Sequence, residues 1–257
     1  MAQRQYDSFI PKPGEKAFIA GQNGSGKTAF ALWLMVRIPI APIFIYDTKI
    51  EPKFDKLPSN RVIHHIDQMQ EAFEDEKVDY IIVRPPEELL GNPRELDEYL
   101  WYQYLHCHGT VAYIDEGMTF HTPTGHAFKG LLSLMQRGRS KGIITIVSSQ
   151  QPVRISRSIK TEMNKAYIFY LQSKDNRKAI DDVIPDFSTL PVPRIHAFYY
   201  WETGMRQAVL FEPIKLDAAF DTGYTDASAV EASNAQDEPS TDTERTAEKP
   251  PTKHVWV

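Results

Sequence analysis

The sequence predicts an α/β domain with a mainly parallel β-sheet flanked by helices. Short apolar runs alternate with segments of helical composition, as in a chain of βαβ units. The hydrophobic fraction of 42% is enough for a core. At 257 residues, one such domain is expected at 16–215, after an irregular lead-in at 1–15 and before a tail at 216–257.

A glycine-rich loop separates the first predicted strand from the first predicted helix. Residues 16–20 form a short apolar run, and residues 28–36 favour a helix that is apolar on almost every side. The segment between them fits G-x-x-x-x-G-K-S/T, the P-loop pattern. It reads Gly21-Gln22-Asn23-Gly24-Ser25-Gly26-Lys27-Thr28.

The chemistry of this loop assigns a role to each part of it. Glycines permit backbone conformations that turn several N–H groups toward one anion, so residues 21–28 are predicted to bind ATP. Lys27 is predicted to reach the β- and γ-phosphates, and the Thr28 hydroxyl to bind Mg²⁺. The positive end of the following helix points at the same phosphates.

The next apolar runs are predicted to be strands at 42–46 and 79–83. Helices are expected at 67–76 and 93–106. Asp47-Thr48-Lys49 follows the first of these strands, at the sheet edge where open α/β sheets bind ligands. Taken alone, however, Asp47 and Lys49 are more typical of a solvated or capping loop.

Two acids end the strand predicted at 110–114. In a P-loop NTPase the Walker B aspartate holds the Mg²⁺ shell, and a second acid can activate the attacking water. A strand ending in Asp-Glu is common in proteins, but downstream of a P-loop it is the expected Walker B strand. We therefore predict Asp115 as a metal residue and Glu116 as the catalytic base.

The remaining elements extend the same pattern. We expect helices at 124–139 and 175–183, strands at 142–147 and 165–171, and a hairpin pairing 196–200 with 206–211. The strand at 142–147 delivers Gln150 to the ligand edge, where its amide can contact the γ-phosphate or its attacking water. The whole pattern predicts a RecA-like (ASCE) P-loop NTPase core with a C-terminal hairpin.

Charge is unevenly distributed in a chain whose net charge is −5. Residues 129–178 contain 11 basic and 2 acidic side chains. These bases either converge on one surface or belong to an ordinary solvated helix face. Residues 216–257 are polar and acidic, so they are predicted to be disordered. Their end, Val255-Trp256-Val257, is either a docking peptide or an end without function.

Disulfide-bonded, secreted and membrane-inserted proteins are disfavoured by features that the sequence lacks. Cys107 is the only cysteine, so no intrachain disulfide can form, and a reducing compartment is expected. We find no apolar secretory signal. The longest apolar stretch is broken by charge and proline, so no stable membrane insertion is expected.

These motifs resemble the HerA/FtsK superfamily of P-loop DNA-translocating ATPases, over roughly residues 16–185. Asp47-Thr48-Lys49 is similar to the family's Asp-Pro-Lys. Arg139-Ser140-Lys141-Gly142, a strand and Ser149-Gln150-Gln151-Pro152 are similar to Arg-x-x-Gly, a strand and Thr-Gln-x-Pro. Ser173–Ile180, with Arg177, resembles a further segment of the FtsK branch. The departures at Thr48 and Ser149 remove no catalytic group.

With no expected membrane anchor and no large additional domain, the chain looks most like the genome-packaging ATPases of tailless, membrane-containing viruses. That resemblance implies a Mg²⁺-dependent ATPase that translocates double-stranded DNA into a preformed capsid. It also implies a homo-oligomeric ring, with a hexamer as the expected form. It implies action in the host cytoplasm or at the packaging vertex of the virion. A capsid or vertex protein is the expected partner of the C-terminal tail.

Arginines and lysines receive two further assignments. In a ring, a neighbour's arginine is expected to complete the site as a finger. Arg139 is the first candidate, followed by Arg177 and Arg137. A channel loop close to Gln150 is predicted to grip the DNA backbone. Its candidates are Arg154, Arg157 and Lys160.

Three alternatives remain open. Assembly or export ATPases of filamentous phages are relatives, but they usually carry a transmembrane segment. A P-loop nucleotide kinase fits the first part of the chain, although such kinases rarely end the Walker B strand in Asp-Glu. An ATP-dependent scaffold without hydrolysis is disfavoured by the intact Lys27, Glu116 and Gln150.

Overall fold

The computed structural model describes residues 6–122 and 124–214, which form one sheet with helices on both faces. The strands are β1 (Lys16–Ala20), β2 (Ile43–Tyr46), β3 (Asn60–Ile63), β4 (Tyr80–Val83), β5 (Val111–Ile114), β6 (Ile144–Ser149), β7 (Lys165–Ile168), β8 (Phe198–Glu202) and β9 (Val209–Phe211). Their order in this nine-stranded sheet is β3-β4-β2-β5-β6-β1-β7-β8-β9. Strands β1 to β7 are parallel, and β8 and β9 form the predicted antiparallel hairpin.

Helices cover the sheet on both sides. They are α1 (Lys27–Met35), α2 (Gln68–Glu74), α3 (Glu87–Leu90), α4 (Pro93–His106), α5 (Lys129–Arg137), α6 (Arg157–Lys160) and α7 (Lys174–Ile180). Along β1, Phe18 and Ala20 join one buried cluster while Ala17 and Ile19 join the other. The central strands β1, β2, β5 and β6 are buried at every position and mostly apolar, because each of their faces is covered.

The strand order determines where the polar loops meet. Strand β6 lies between β5 and β1, and the register pairs Ala20 with Ser149 and Ile114 with Val147. Because these strands are parallel, the loops that follow them emerge at one edge of the sheet. We call this the carboxyl edge and the opposite one the amino edge.

Some element bounds differ from those predicted. Helix α5 begins at Lys129, not at 124, because His121 pairs with Ala127 in an isolated β-bridge ahead of it. A 3-10 turn at Gly138–Lys141 then ends the predicted helical segment. Strand β3 was not predicted. It lies at the sheet border and mixes polar with apolar side chains, so it lacks a continuous apolar run.

The ends of the described chain bear on the predicted domain limits. A 3-10 turn at Asp7–Phe9 lies in the lead-in, and Phe9 is fully buried against aromatic rings that include Phe198 and Tyr200. The predicted tail at 216–257 lies outside the described residues. The domain limits therefore stay a prediction. None of the helices in the described ranges combines the length and apolar character needed to cross a bilayer.

Candidate active site

The P-loop connects β1 to α1 at the carboxyl edge. Gly24 and Gly26 have φ angles of 72° and 97°, a region that strains other residues, and Gly26 directly precedes the first residue of α1. The loop is anchored to the neighbouring strand ends by two backbone bonds. Gly21 N donates to Ser149 O (3.2 Å), and Gln22 N donates to Tyr170 O (3.0 Å).

Two buried groups in the loop suit an anionic ligand. The Ser25 hydroxyl is buried and finds no hydrogen-bond partner among the described residues. Lys27 is also buried, and its Nζ donates to Gln22 O (3.0 Å). Burial lowers the pKa of Lys27 to about 8, although the negative charge of Glu116 opposes this shift. Thr28 lies half-buried beside it. An unsatisfied hydroxyl and a desolvated ammonium fit the oxygens of a polyphosphate.

Strand β5 carries the two predicted acids to the same edge. The Tyr113 hydroxyl donates to Asp115 Oδ1 (2.9 Å), and burial raises the pKa of Asp115 although this bond opposes the shift. Glu116 Oε1 accepts from Ser149 Oγ (3.0 Å) and Gln150 N (3.3 Å). Its Oε2 pairs with Lys49 Nζ at 2.7 Å. Both oxygens of Glu116 are therefore bonded to protein groups.

A cleft of about 550 Å³ opens between these loops. It is lined by Asn23, Thr48, Lys49, Leu90, Glu116, Met118, Thr119, Gln150 and Gln151. The loops that follow β1, β2, β5 and β6 all contribute to this lining. The structure thus brings the P-loop, the second acid and the predicted Gln150 amide to one cleft.

The loop after β2 contributes more than its sequence suggested. Asp47 is buried and accepts hydrogen bonds from Arg84 Nε (2.8 Å) and Glu51 N (3.0 Å). Lys49 pairs with Glu116 across the cleft. Solvation therefore does not describe the buried Asp47, whereas the capping alternative fits its bond from Glu51 N, and Lys49 is exposed although it is paired. The signals for Lys49 were its position after a strand end and the similarity of Asp47-Thr48-Lys49 to Asp-Pro-Lys.

The three candidate finger arginines have different surroundings. Arg139 is exposed in the 3-10 turn before β6, at the amino edge, and Arg137 is exposed close by. The 6 residues of β6 span about 20 Å, so Arg139 cannot reach the P-loop of its own chain. Arg177 is buried, and its Nη2 donates to the carbonyls of Ser188 (3.4 Å) and Leu190. It supports the chain around 187–190 and is not available to a neighbour.

The basic segment 129–178 does not form one positive surface. Arg137 and Arg139 lie toward the amino edge, whereas Arg154 follows Gln150 at the carboxyl edge. Lys160, predicted to contact DNA, is instead buried and bonded to Ala179 O (3.1 Å) and Asp182 (2.8 Å). Arg154 and Arg157 are exposed, although Arg157 also contacts Asp182 (3.3 Å).

Comparisons with known proteins add relatives to this geometry. No protein-family model matches the chain. The chain is 25% identical over 218 residues to DNA packaging ATPase P9 of Enterobacteria phage PRD1, covering 80% of this chain and 89% of P9. The predicted resemblance to the packaging ATPases is thereby confirmed.

Solved structures of the genome packaging NTPase B204 from Sulfolobus turreted icosahedral virus 2 are also similar. The complex with AMPPCP has a TM-score of 0.60 and 14% identity, covering 78% of this chain and 98% of B204. The complex with sulfate has a TM-score of 0.63 and 14% identity, covering 80% and 100%. At this identity the likeness concerns the fold, and it confirms the predicted α/β class.

Proposed function

We propose that the chain is an ATPase that translocates double-stranded DNA into a viral capsid. One observation carries the proposal. Asn23 of the P-loop, Glu116 of the Walker B segment and Gln150 line one cleft in a chain that is 25% identical to DNA packaging ATPase P9 over 218 residues. Neither the motifs nor the similarity to P9 would be sufficient alone to support this function, because P-loops serve many reactions.

The P-loop residues 21–28 are proposed to bind the phosphates of ATP. The Ser25 hydroxyl and the Lys27 ammonium, both buried, would contact phosphate oxygens together with loop N–H groups and the N-terminus of α1. Contact with an anion also offsets the cost of keeping Lys27 charged in a buried position. The solved B204 complexes with AMPPCP and ATP-gammaS are compatible with such a site.

The hydroxyl of Thr28 and the carboxylate of Asp115 would hold Mg²⁺, which prefers such oxygen ligands. When bound, the ion supplies positive charge to the phosphate oxygens. Glu116 is proposed to accept the proton of the attacking water, and the Gln150 amide to orient that water. A bond forms from water oxygen to the γ-phosphorus while the bond to the bridging oxygen breaks. Its electron pair leaves with ADP.

The DNA track and the oligomer are further parts of the proposal. The exposed Arg154 and Arg157 lie a few residues beyond Gln150, so a change at the γ-phosphate has a short path to them. Backbone contacts from arginine carry no base information, which suits a motor that must pass any sequence. We propose a ring, with six subunits as the expected number, in which Arg139 completes the site of a neighbour.

The test is hydrolysis of ATP by the purified chain with Mg²⁺, followed as free phosphate, with and without double-stranded DNA. Glu116→Gln should keep ATP binding but lose turnover by about 10²–10⁴-fold, since it removes the proton acceptor. A phosphorylated acceptor would favour the nucleotide kinase, and binding without turnover the scaffold. Hydrolysis that ignores DNA would favour the filamentous-phage type of assembly ATPase.

The acidic tail at 216–257 is proposed to dock on a capsid or vertex protein, which would place the ATPase at the packaging vertex or in the host cytoplasm before docking. Composition alone supports this assignment. Deleting residues 221–257 should leave hydrolysis near the wild-type rate, because no site residue lies there. A lower thermal midpoint in the truncated chain would contradict the proposed docking role.

A further inference from the structure

The two oxygens of Glu116 are held in different ways. Oε1 accepts hydrogen bonds from Ser149 Oγ (3.0 Å) and Gln150 N (3.3 Å), both at the end of β6. Oε2 is paired with the ammonium of Lys49 at 2.7 Å. An oxygen bonded to an ammonium is a poor acceptor for a water proton. In this arrangement, the proposed base is therefore engaged on both sides.

The partners of this ion pair differ in freedom. The Glu116 side chain is 7% exposed and is fixed from β6, whereas the Lys49 side chain is 41% exposed. The backbone near Lys49 is anchored, because Asp47 accepts hydrogen bonds from Glu51 N and Arg84 Nε. The long side chain of Lys49 is thus the mobile member of the pair, and it extends from an anchored backbone segment.

A competing anion would approach from the cleft. Lys49 and Glu116 both line it, as does Asn23 of the P-loop. A γ-phosphate carries more charge and more acceptor oxygens than a carboxylate, so it can compete for the ammonium of Lys49. Transfer of Lys49 would leave Oε2 of Glu116 open to water. ADP, which lacks the γ-phosphate, would leave the ion pair intact.

We propose that Lys49 is a positioning residue that exchanges Glu116 for the γ-phosphate, so that the base is released only when ATP is bound. This inference rests on the proposed function, since it assumes that the cleft takes ATP. It assigns to Lys49 two linked tasks, the recognition of ATP over ADP and the release of Glu116.

Equilibrium binding of AMPPCP and ADP to Glu116→Gln and to Lys49→Met/Glu116→Gln tests the exchange. With the acid neutralised, Lys49 is free for the γ-phosphate, so its removal should weaken AMPPCP about tenfold, the scale of one charge-assisted hydrogen bond. ADP affinity should not change. Lys49→Arg in the same background should restore AMPPCP binding. Lys77→Met, which removes an exposed lysine that precedes β4 at the amino edge and does not line the cleft, is the matched control.

The alternatives give opposite results. If Lys49 only neutralises Glu116, its removal has no effect in the Glu116→Gln background, and equal AMPPCP affinities would overturn the inference alone. Structures of the wild-type chain with AMPPCP and with ADP provide the direct check. The Lys49–Glu116 pair should be broken with AMPPCP and present with ADP, and an intact pair in both overturns the exchange. A wild-type chain that binds neither nucleotide overturns the proposed function as well.

Discussion

Two buried lysines at opposite edges of the sheet have different surroundings. At the amino edge, Lys165 Nζ bonds Ser8 O (2.8 Å) and Glu202 Oε2 (2.7 Å), and it contacts the Tyr200 hydroxyl (3.3 Å). At the carboxyl edge, Lys27 Nζ donates to a loop carbonyl, Gln22 O (3.0 Å). Burial lowers the pKa of Lys27 to about 8. One lysine has an acid in contact, and the other bears a desolvation cost without one.

This difference separates a charge that is neutralised within the fold from one that we propose serves a ligand. Lys165 connects the lead-in to the last strands, so its charge is neutralised within the fold. Lys27 keeps its capacity for an external anion because no carboxylate is bonded to it in the described structure. Sites that bind or react commonly retain such locally unfavourable groups, and the rest of the fold offsets their cost.

Arg139 is the expected exception to this contrast between a structural amino edge and a ligand-binding carboxyl edge. It lies at the amino edge, yet we expect it to act at the carboxyl edge of a neighbouring chain. Arg139→Ala should lower hydrolysis by the assembled protein by about 10³-fold or more, the scale of an arginine finger. Mixing it with Lys27→Ala should recover part of the rate, because each chain completes the site of the other.

Phosphate release across a series of mixing ratios measures this effect. Arg137→Ala is the matched control, since Arg137 is exposed at the same edge. Mixtures no more active than the sum of their parts would contradict a finger in trans. A larger loss in Arg137→Ala than in Arg139→Ala would assign the finger to Arg137.

Lys165→Met should affect stability and not chemistry. It removes a lysine whose side chain is 5% exposed from Glu202, whose side chain is 37% exposed. The expected loss in free energy of unfolding is about 2 kcal/mol, less than for a fully buried pair because Glu202 is partly solvated. Hydrolysis per folded molecule should stay at the wild-type rate.

Urea unfolding of Lys165→Met beside Lys27→Met sharpens the comparison. Lys27→Met should abolish hydrolysis without a comparable loss of stability, because it removes a buried charge that has no acid in contact. If the two variants were equally destabilised, the buried lysines would not be serving the different purposes assigned to them.

The pKa of Lys27, lowered to about 8, predicts how ATP binding depends on pH. Phosphates bind the protonated lysine and raise its pKa in the complex. Above pH 8 the free chain has lost this proton, so binding must take it up, and affinity should fall toward tenfold per pH unit. Below pH 8 this dependence should disappear. Calorimetry in buffers of different ionisation enthalpy measures the uptake, and constant affinity up to pH 9.5 would contradict the assignment.

The sequence predicted the parts of the site whose signal is local. The P-loop needs adjacent residues between a strand and a helix, and the acids need only follow an apolar strand. The pair of Lys49 with Glu116 depends instead on β2 lying beside β5, with Tyr46 opposite Ile114. No spacing within the sequence encodes that contact.

Charge patterning was a weaker guide than the motifs. Lys160 was predicted to contact DNA and Arg177 to be a candidate finger, but both side chains are buried. Lys160 bonds Asp182, and Arg177 bonds backbone carbonyls. A count of basic residues does not tell which of them the fold uses for itself. The order of the strands, which brings the loops together, was likewise open until the fold was known.

The smallest predicted effect concerns the DNA contact at the carboxyl edge. Arg154 and Arg157 are exposed, whereas Lys160, in the same short segment, is buried against Asp182. Replacing both arginines with alanine should weaken binding of double-stranded DNA roughly fivefold at moderate salt. It should also reduce the slope of log K against log salt by about 2, because each lost phosphate contact contributes about 0.9.

Lys160→Met is the matched control for this pair of arginines. It removes one positive charge from the same segment, but a buried one, so it should lower stability and leave the salt slope unchanged. DNA titrations over a range of salt, with two duplexes of unrelated sequence, separate these outcomes. Both duplexes should respond equally, because backbone contacts read no bases. A slope that falls in Lys160→Met and not in the arginine variant would show that Arg154 and Arg157 are not the DNA contact. It would also contradict the distinction between basic side chains that are paired within the fold and exposed ones that bind a partner.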